Sequence, residues 1–211
     1  MKRFKRIAVI ASFSLFLMGC SDGKQATVIQ AAIEESVTFE NEFTANQEKL
    51  FEVEEEAQLL YTELLNLTID DEASLNEALT EAKKLIDKQQ GILEESEESF
   101  ENAYEKESTI EEYVEKIKDE QQKSQASTLL EVIDNRKELV DSYIEMYEGS
   151  LEVQHAFYDE FQEDHLRLDR MDAQIIEINQ YSEEMEEMIE QFNQSTEQYI
   201  QAKNEYDQQL N

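Results

Sequence analysis

The fold is decided by the stretch ATVIQAAIEESVTFENEFTANQEKLFEVEEEAQLLYTELLNL, residues 26–67. Steps of three and four residues along it stay on one helical face, and nearly every side chain on that face is apolar: Ile29, Ala32, Ser36, Phe39, Phe43, Asn46, Leu50, Val53, Ala57, Leu60, Leu64 and Leu67. Glu and Gln fill most of the other positions. Such a long heptad seam predicts one long helix that packs against other helices.

The same spacing recurs three more times along the chain. The seams run from Leu75 to Ile117 through Glu107, from Ala126 to Phe161 through Leu130 and Lys137, and from Leu168 to Leu210 through Lys203. Among all four seams we expect these side chains to be buried: Leu50, Leu60, Leu93, Ile133, Ile144 and Ile189.

Breaks in the seams predict three turns, at residues 68–74, 118–125 and 163–165. Ser108-Thr109 is a rival for the second turn, because it resembles a helix-capping box. The chain has no Pro and only four Gly, and strand signals are absent. We therefore predict an all-α protein, an elongated up-down-up-down four-helix bundle, with a three-helix spectrin-like bundle as the alternative.

The N-terminus has the composition of an export signal. Four basic residues precede an uncharged run, residues 7–17, that is too short to span a bilayer as a helix. Leu17-Met18-Gly19-Cys20 follows and resembles a bacterial lipobox, with the only cysteine of the chain at its end. The alternatives are an ordinary cleaved signal with an incidental cysteine, or a short membrane anchor.

The lipobox predicts the organisation of the whole chain. Residues 1–19 form a lipoprotein signal peptide, residues 20–25 the lipidated N-terminus and a short linker, and residues 26–211 the helical bundle domain. A diacylglyceryl group on Cys20 would hold the protein on the extracytoplasmic face of the cell membrane, because two acyl chains give stable anchoring.

The charge of the chain excludes one class of partner. Asp and Glu number 51 against 18 Lys and Arg, which gives a net charge of −33. Such a protein cannot neutralise phosphates, so we expect no nucleic-acid binding. We also expect no cofactor, since no phosphate loop or other cofactor motif is present.

Two acidic segments are the candidates for a metal site. In an up-and-down bundle the first and third turns lie at one end, which brings Asp70, Asp71 and Glu72 near Glu163, Asp164, His165 and Asp169. Carboxylates are natural ligands of hard divalent cations, so Asp70, Asp71, Asp164 and His165 form a candidate weak cation site. The plainer interpretation is that these acids cap helix starts.

Other polar residues are expected to be structural. Glu152 and His155 match half of a di-iron motif, but they lie off the seam and we expect a surface pair. Glu107 and Lys203 both occupy seam positions, and we expect them to approach one another and fix the register of the helices. No grouping of catalytic residues is visible, so we expect no enzyme activity.

Three features together resemble the YkyA-like family, named for cell-wall-binding lipoproteins of Gram-positive bacteria. They are the lipobox, the acidic helical body, and the segments Leu60-Tyr61…Leu64 and Ile175…Ile178-Asn179. The resemblance implies a lipid-anchored four-helix bundle at the cell surface whose partner is a wall polymer or an envelope protein. The alternative function is a surface lipoprotein that binds a ligand or a divalent cation.

Overall fold

A computed structural model describes residues 23–64, 66, 72–161 and 167–209. Four long helices and one short helix make up this part of the chain: α1 (Gly23–Leu64), α2 (Glu72–Ser108), α3 (Glu111–Val114), α4 (Glu120–Glu160) and α5 (Leu168–Gln209). No strand occurs among these residues. The all-α helical bundle is confirmed, and it contains four long helices rather than the three of the spectrin-like alternative.

The long helices contribute to two compact units. Among the described residues, those of unit 1 lie within 23–44, 97–141 and 189–209, and those of unit 2 within 45–96 and 142–188. Unit 1 has a hydrophobic cluster drawn from α1, α4, α5 and the segment around α3: Ile29, Ala32, Ile33, Ile110, Val114, Ile117, Ala126, Leu129, Ile133, Ala202 and Tyr206. Burial of this apolar surface is the main contribution to the stability of the unit.

Consecutive long helices run antiparallel in both units, because contacts that advance along one helix retreat along the next. In unit 1, α1 and α2 are joined by Phe43–Phe100 and Ser36–Glu107. Helices α2 and α4 are joined by Glu101–Lys137 and Tyr104–Asp134, and α4 and α5 by Asn135–Ser195 and Gln122–Tyr206. In unit 2, α1 and α2 are joined by Gln47–Ser96 and Glu56–Lys88. Helices α2 and α4 are joined by Lys83–Asp159 and Gln90–Glu148, and α4 and α5 by Gly149–Tyr181 and Glu160–Arg170. The predicted up-down-up-down topology is therefore present within each unit.

Helices end and begin close to the first and third predicted breaks, and both candidates for the second break coincide with helix ends, because α2 ends at Ser108 and α4 begins at Glu120, within the predicted 118–125. The prediction kept α2 helical to Ile117, but α2 ends at Ser108, the rival position, and the short α3 follows. The seam continues unbroken because Ile110, Val114 and Ile117 keep helical spacing through α3 and stay buried in unit 1. Asp119 then caps α4, where its Oδ1 accepts hydrogen bonds from the backbone N–H groups of residues 121 and 122.

Helix α1 also differs from its prediction, since it begins at Gly23 and takes in part of the expected linker. Its C-terminus lies at Leu64, where Asn66 donates hydrogen bonds from its backbone N–H and its side-chain amide to the carbonyls of Glu63 and Thr62. These bonds satisfy carbonyls that a helix end leaves without partners.

Most of the predicted core is buried. Leu50, Leu93, Ile133 and Ile144 are all at most 4% exposed. Leu60 and Ile189 are only half-buried, so their prediction is wrong in degree. Leu168 of the fourth seam is 66% exposed because it stands in the first turn of α5, where the seam has only begun.

Candidate functional site

The most unusual feature of unit 1 is a charged pair inside its core. The guanidinium of Arg136 on α4 donates from Nη1 and Nη2 to the two carboxylate oxygens of Glu40 on α1, over 2.6 and 2.8 Å. The two side chains are only 2% and 9% exposed. Removing charges from water is costly, and a paired, two-bonded geometry is what makes this burial tolerable.

A second carboxyl group lies against this pair. Glu107 on α2 is buried, and its Oε1 accepts hydrogen bonds from Ser36 Oγ at 2.9 Å and from Tyr199 Oη at 2.6 Å. Burial, followed by the negative charge of Glu40, raises the pKa of Glu107 to about 7, against the partly offsetting charge of Arg136. Glu107 therefore changes its protonation near neutral pH.

Aromatic rings enclose the guanidinium of Arg136. Phe43, Phe100 and Phe192 meet edge to face, with ring centroids 5.0 to 5.9 Å apart. The guanidinium carbon lies 4.7 Å from the ring centre of Tyr199, and 5.3 and 5.5 Å from those of Phe192 and Phe100. These cation–π contacts replace part of the hydration that the cation loses in the core.

Sequence reasoning missed Arg136 and Glu40. The prediction followed Leu130 and Lys137 along α4, whereas the buried positions are Leu129 and Arg136, one residue earlier. The signal was present, because Leu129, Ile133, Arg136, Val140 and Tyr143 are spaced by four and three. Because arginine is usually exposed, the arginine in this series makes its positions look like part of the solvent-facing side of the helix.

Glu107 is buried as predicted, but its partner is not the expected one. Its hydrogen bonds go to Ser36 and Tyr199, and no ion pair joins it to Lys203 within the described part of the chain. Another buried ion pair joins helices of unit 1 instead, since Arg136 ties α4 to α1 through a pair separated by 96 positions in sequence.

Unit 2 contains a second buried polar group, centred on Tyr147. Its Oη lies 2.7 Å from Glu54 Oε1 and 2.8 Å from Gln89 Oε1, while Gln89 Nε2 donates to the carbonyl of Leu85. One phenol proton cannot serve two acceptors. Burial raises the pKa of Glu54, against the smaller and opposite effect of its hydrogen bond from Tyr147.

The hydrogen bonds of each polar group join residues of the same unit. Glu54 and Glu107 each accept a hydrogen bond from a tyrosine of another helix, and the other partner of Glu107 is the buried Ser36. Within residues 23–64, 66, 72–161 and 167–209, no three His, Cys, Asp or Glu side chains are placed to hold a metal ion. These groups therefore suit the role of specifying which helices meet, as buried polar residues do in other helical assemblies.

The predicted site residues mostly lie outside the described residues. These are Cys20, with the whole signal peptide, and the tip residues Asp70, Asp71, Asp164 and His165, so the cation site stays a prediction. Two further acids of that tip, Glu72 and Asp169, lie in the first turns of α2 and α5. There they interact favourably with the helix dipoles, as the plainer interpretation expects.

The Glu152 and His155 prediction is confirmed. Both side chains are exposed, and His155 Nδ1 lies 3.1 Å from Asp159 Oδ2, one turn further along α4. An i,i+4 pair of this kind is an ordinary surface contact of a helix.

Comparison with known protein families identifies the helical body. A family model described as "Putative cell-wall binding lipoprotein" matches residues 24–209. The chain belongs to the YkyA family. The match begins one residue after the start of α1 and ends at the last residue of α5, so it covers every helix described. The resemblance predicted from the sequence is confirmed.

Membership of the YkyA family bears on location. The family's description as a lipoprotein implies a protein held at a membrane of the cell envelope. Among the described helices, none has an apolar stretch long enough to cross a bilayer. No curated protein and no solved structure matches the chain.

Proposed function

We propose that this protein is a non-catalytic lipoprotein, anchored through Cys20 on the extracytoplasmic face of the membrane, whose helical body binds the cell wall or an envelope protein. The observation that carries the proposal is the family match across the whole helical body, residues 24–209. The lipobox-like Leu17-Met18-Gly19-Cys20 supplies the attachment site that such a lipoprotein requires.

The contents of the core support a binding rather than a catalytic role. Catalysis needs an acid, base or nucleophile that can reach a substrate in a pocket. Two pairs of buried ionisable groups instead bond to one another, Arg136 to Glu40 and Tyr147 to Glu54. They are committed to internal hydrogen bonds.

The charge of the body limits how it binds. With a net charge of −33, the protein repels anionic polymers and the anionic lipid surface. Contact with an anionic wall polymer would therefore use bridging divalent ions or uncharged hydrogen bonds. A cationic protein partner would be attracted directly.

The anchor is tested by substitution. Full-length Cys20→Ala, expressed in a Gram-positive host, should lose fatty-acid labelling and move from the membrane fraction to the medium or to an unprocessed precursor. Ser21→Ala changes the next residue and leaves the thiol, so it serves as the matched control and should remain labelled. Retention of the label on Cys20→Ala would refute attachment at this cysteine.

A further inference from the structure

Unit 2 carries an open groove between the end of α1 and the start of α2. Its volume is about 610 Å³, within the range of known ligand sites. Leu60 and Glu63 line it from α1, and Glu77, Ala78 and Glu81 line it from α2. The groove thus combines apolar side chains with three carboxylates.

The apolar part of the groove is accessible. Leu60 and Ala78 are half-buried, and the neighbouring Leu59 is 70% exposed. The large hydrophobic side chains that are exposed in the described residues all belong to unit 2: Phe51, Leu59, Leu168 and Ile176. Exposed apolar surface rimmed by polar residues is typical of an interaction site.

The charge at the groove favours a cation. No Lys, Arg or His is among the described residues that line it, and of its described acids only Glu81 forms an ion pair, with Lys84 at 2.9 Å. Helix α1 ends here without a basic residue in its last turn. The negative end of its dipole therefore adds to the field of the carboxylates, while Glu72 offsets the positive start of α2.

The charge and the apolar side chains of the groove favour one class of ligand over the others. Nucleic acid and anionic lipid carry the wrong sign of charge, and a second copy of this chain would bring its own excess of carboxylates. A peptide segment with apolar side chains between Lys or Arg residues would cover the leucines and pair with the acids. The apolar contact would supply most of the affinity for such a segment. The charges would orient it and speed its association.

We propose that the groove of unit 2 binds a basic amphipathic peptide segment of a partner protein. Apolar side chains of the segment pack on Leu60 and Ala78, and its cationic groups pair with Glu63 and Glu77. The proposal rests on the proposed function as an envelope interaction protein and names the class of its partner. Binding at the groove does not require the lipid, so the groove and the anchor can fail separately.

The first test is calorimetry on the full-length chain carrying Cys20→Ala, which prevents lipid attachment. The probe is a short synthetic peptide of alternating leucine and lysine, at an ionic strength of about 0.15 M to screen distant charges. Glu63→Gln with Glu77→Gln should weaken binding roughly tenfold, the factor that two exposed ion pairs can supply.

The matched control is Glu145→Gln with Glu152→Gln, which removes the same charge from exposed positions of unit 2 away from the groove. It should leave the affinity nearly unchanged. Equal weakening by the two double variants would show that the peptide responds only to overall charge, and would overturn the proposal.

The second test blocks the apolar part of the groove without changing charge. Ala78→Gln places a longer polar side chain over it, and Ala73→Gln makes the same change at an exposed position of α2 that does not line it. Both glutamines suit a helix, so circular dichroism should show equal folding. Only Ala78→Gln should weaken the peptide; equal affinities would contradict the proposed site.

The third test identifies the partner in cells. A photo-reactive amino acid replaces Ala78 in the lipidated protein, and Ala73 in the control. Crosslinking from position 78 to a protein, through a peptide rich in Lys or Arg, is the expected result. Crosslinks from position 78 only to wall glycan, or no more crosslinks than from position 73, would overturn the assignment of a peptide ligand.

Discussion

The buried carboxyl of Glu107 should make the stability of the protein depend on pH. Its pKa is raised from 4.5 to about 7 in the folded protein, chiefly by burial. Below pH 4.5 both the folded and the unfolded chain keep this proton. Between pH 4.5 and 7 the unfolded chain releases it while the folded chain holds it, so the free energy of unfolding falls as pH rises.

The size of the effect follows from the shift in pKa. One pKa unit corresponds to about 1.4 kcal/mol, so this group costs up to roughly 3 kcal/mol of stability above pH 7. Glu107→Gln keeps an oxygen that can accept from Ser36 and Tyr199 but cannot ionise. The variant should match the wild type near pH 4.5 and be more stable by roughly 2–3 kcal/mol at pH 8.

Urea unfolding followed by circular dichroism at several pH values between 4.5 and 8 measures this difference. The general repulsion of the acidic chain also grows with pH, and it is common to both proteins. Glu105→Gln, an exposed position on the same helix, controls for the removal of one charge. If the difference in unfolding free energy between Glu107→Gln and wild type stays constant over this pH range, the reasoning is refuted.

Two further predictions concern packing and charge. Gly91→Ala should stabilise the protein by about 0.4–1 kcal/mol, because a Cβ there meets no atom within 4 Å. Gly149→Ala should lose that gain, because its Cβ would lie 2.7 Å from Tyr181 Oη, and equal increases in melting temperature would contradict the close approach. Arg136→Met should cost about 3–5 kcal/mol, because it leaves Glu40 buried without its partner. Adding Glu40→Gln to Arg136→Met should recover part of that loss. Chemical denaturation of the two single variants and the double variant measures this, and losses of unfolding free energy that simply add would argue against the ion pair.

Local spacing alone determined the helical class and most of the core. Every position of the second predicted seam from Leu79 to Ile117 is buried. This could be predicted because an amphipathic helix repeats its inward face every three or four residues, whatever it packs against. Net charge likewise predicts, without any knowledge of the fold, that nucleic acid is not a partner.

The end of α2 could not be predicted from spacing. Ile110, Val114 and Ile117 stay in register after the helix breaks at Ser108, because the short α3 presents them to the same cluster of unit 1. A periodic pattern records which side chains face inward. It does not record whether one continuous helix carries them.

The polar core was decided only by tertiary structure. Whether α4 buries Arg136 or Lys137 depends on a carboxylate 96 positions away, Glu40, and on aromatic rings from α1, α2 and α5. The core tolerates a buried charge only where a partner of opposite charge lies beside it. The groove of unit 2 has the same origin, since its carboxylates come from two different helices, α1 and α2. The sequence determines each inward face separately, and the packing of the helices selects the polar partners between them.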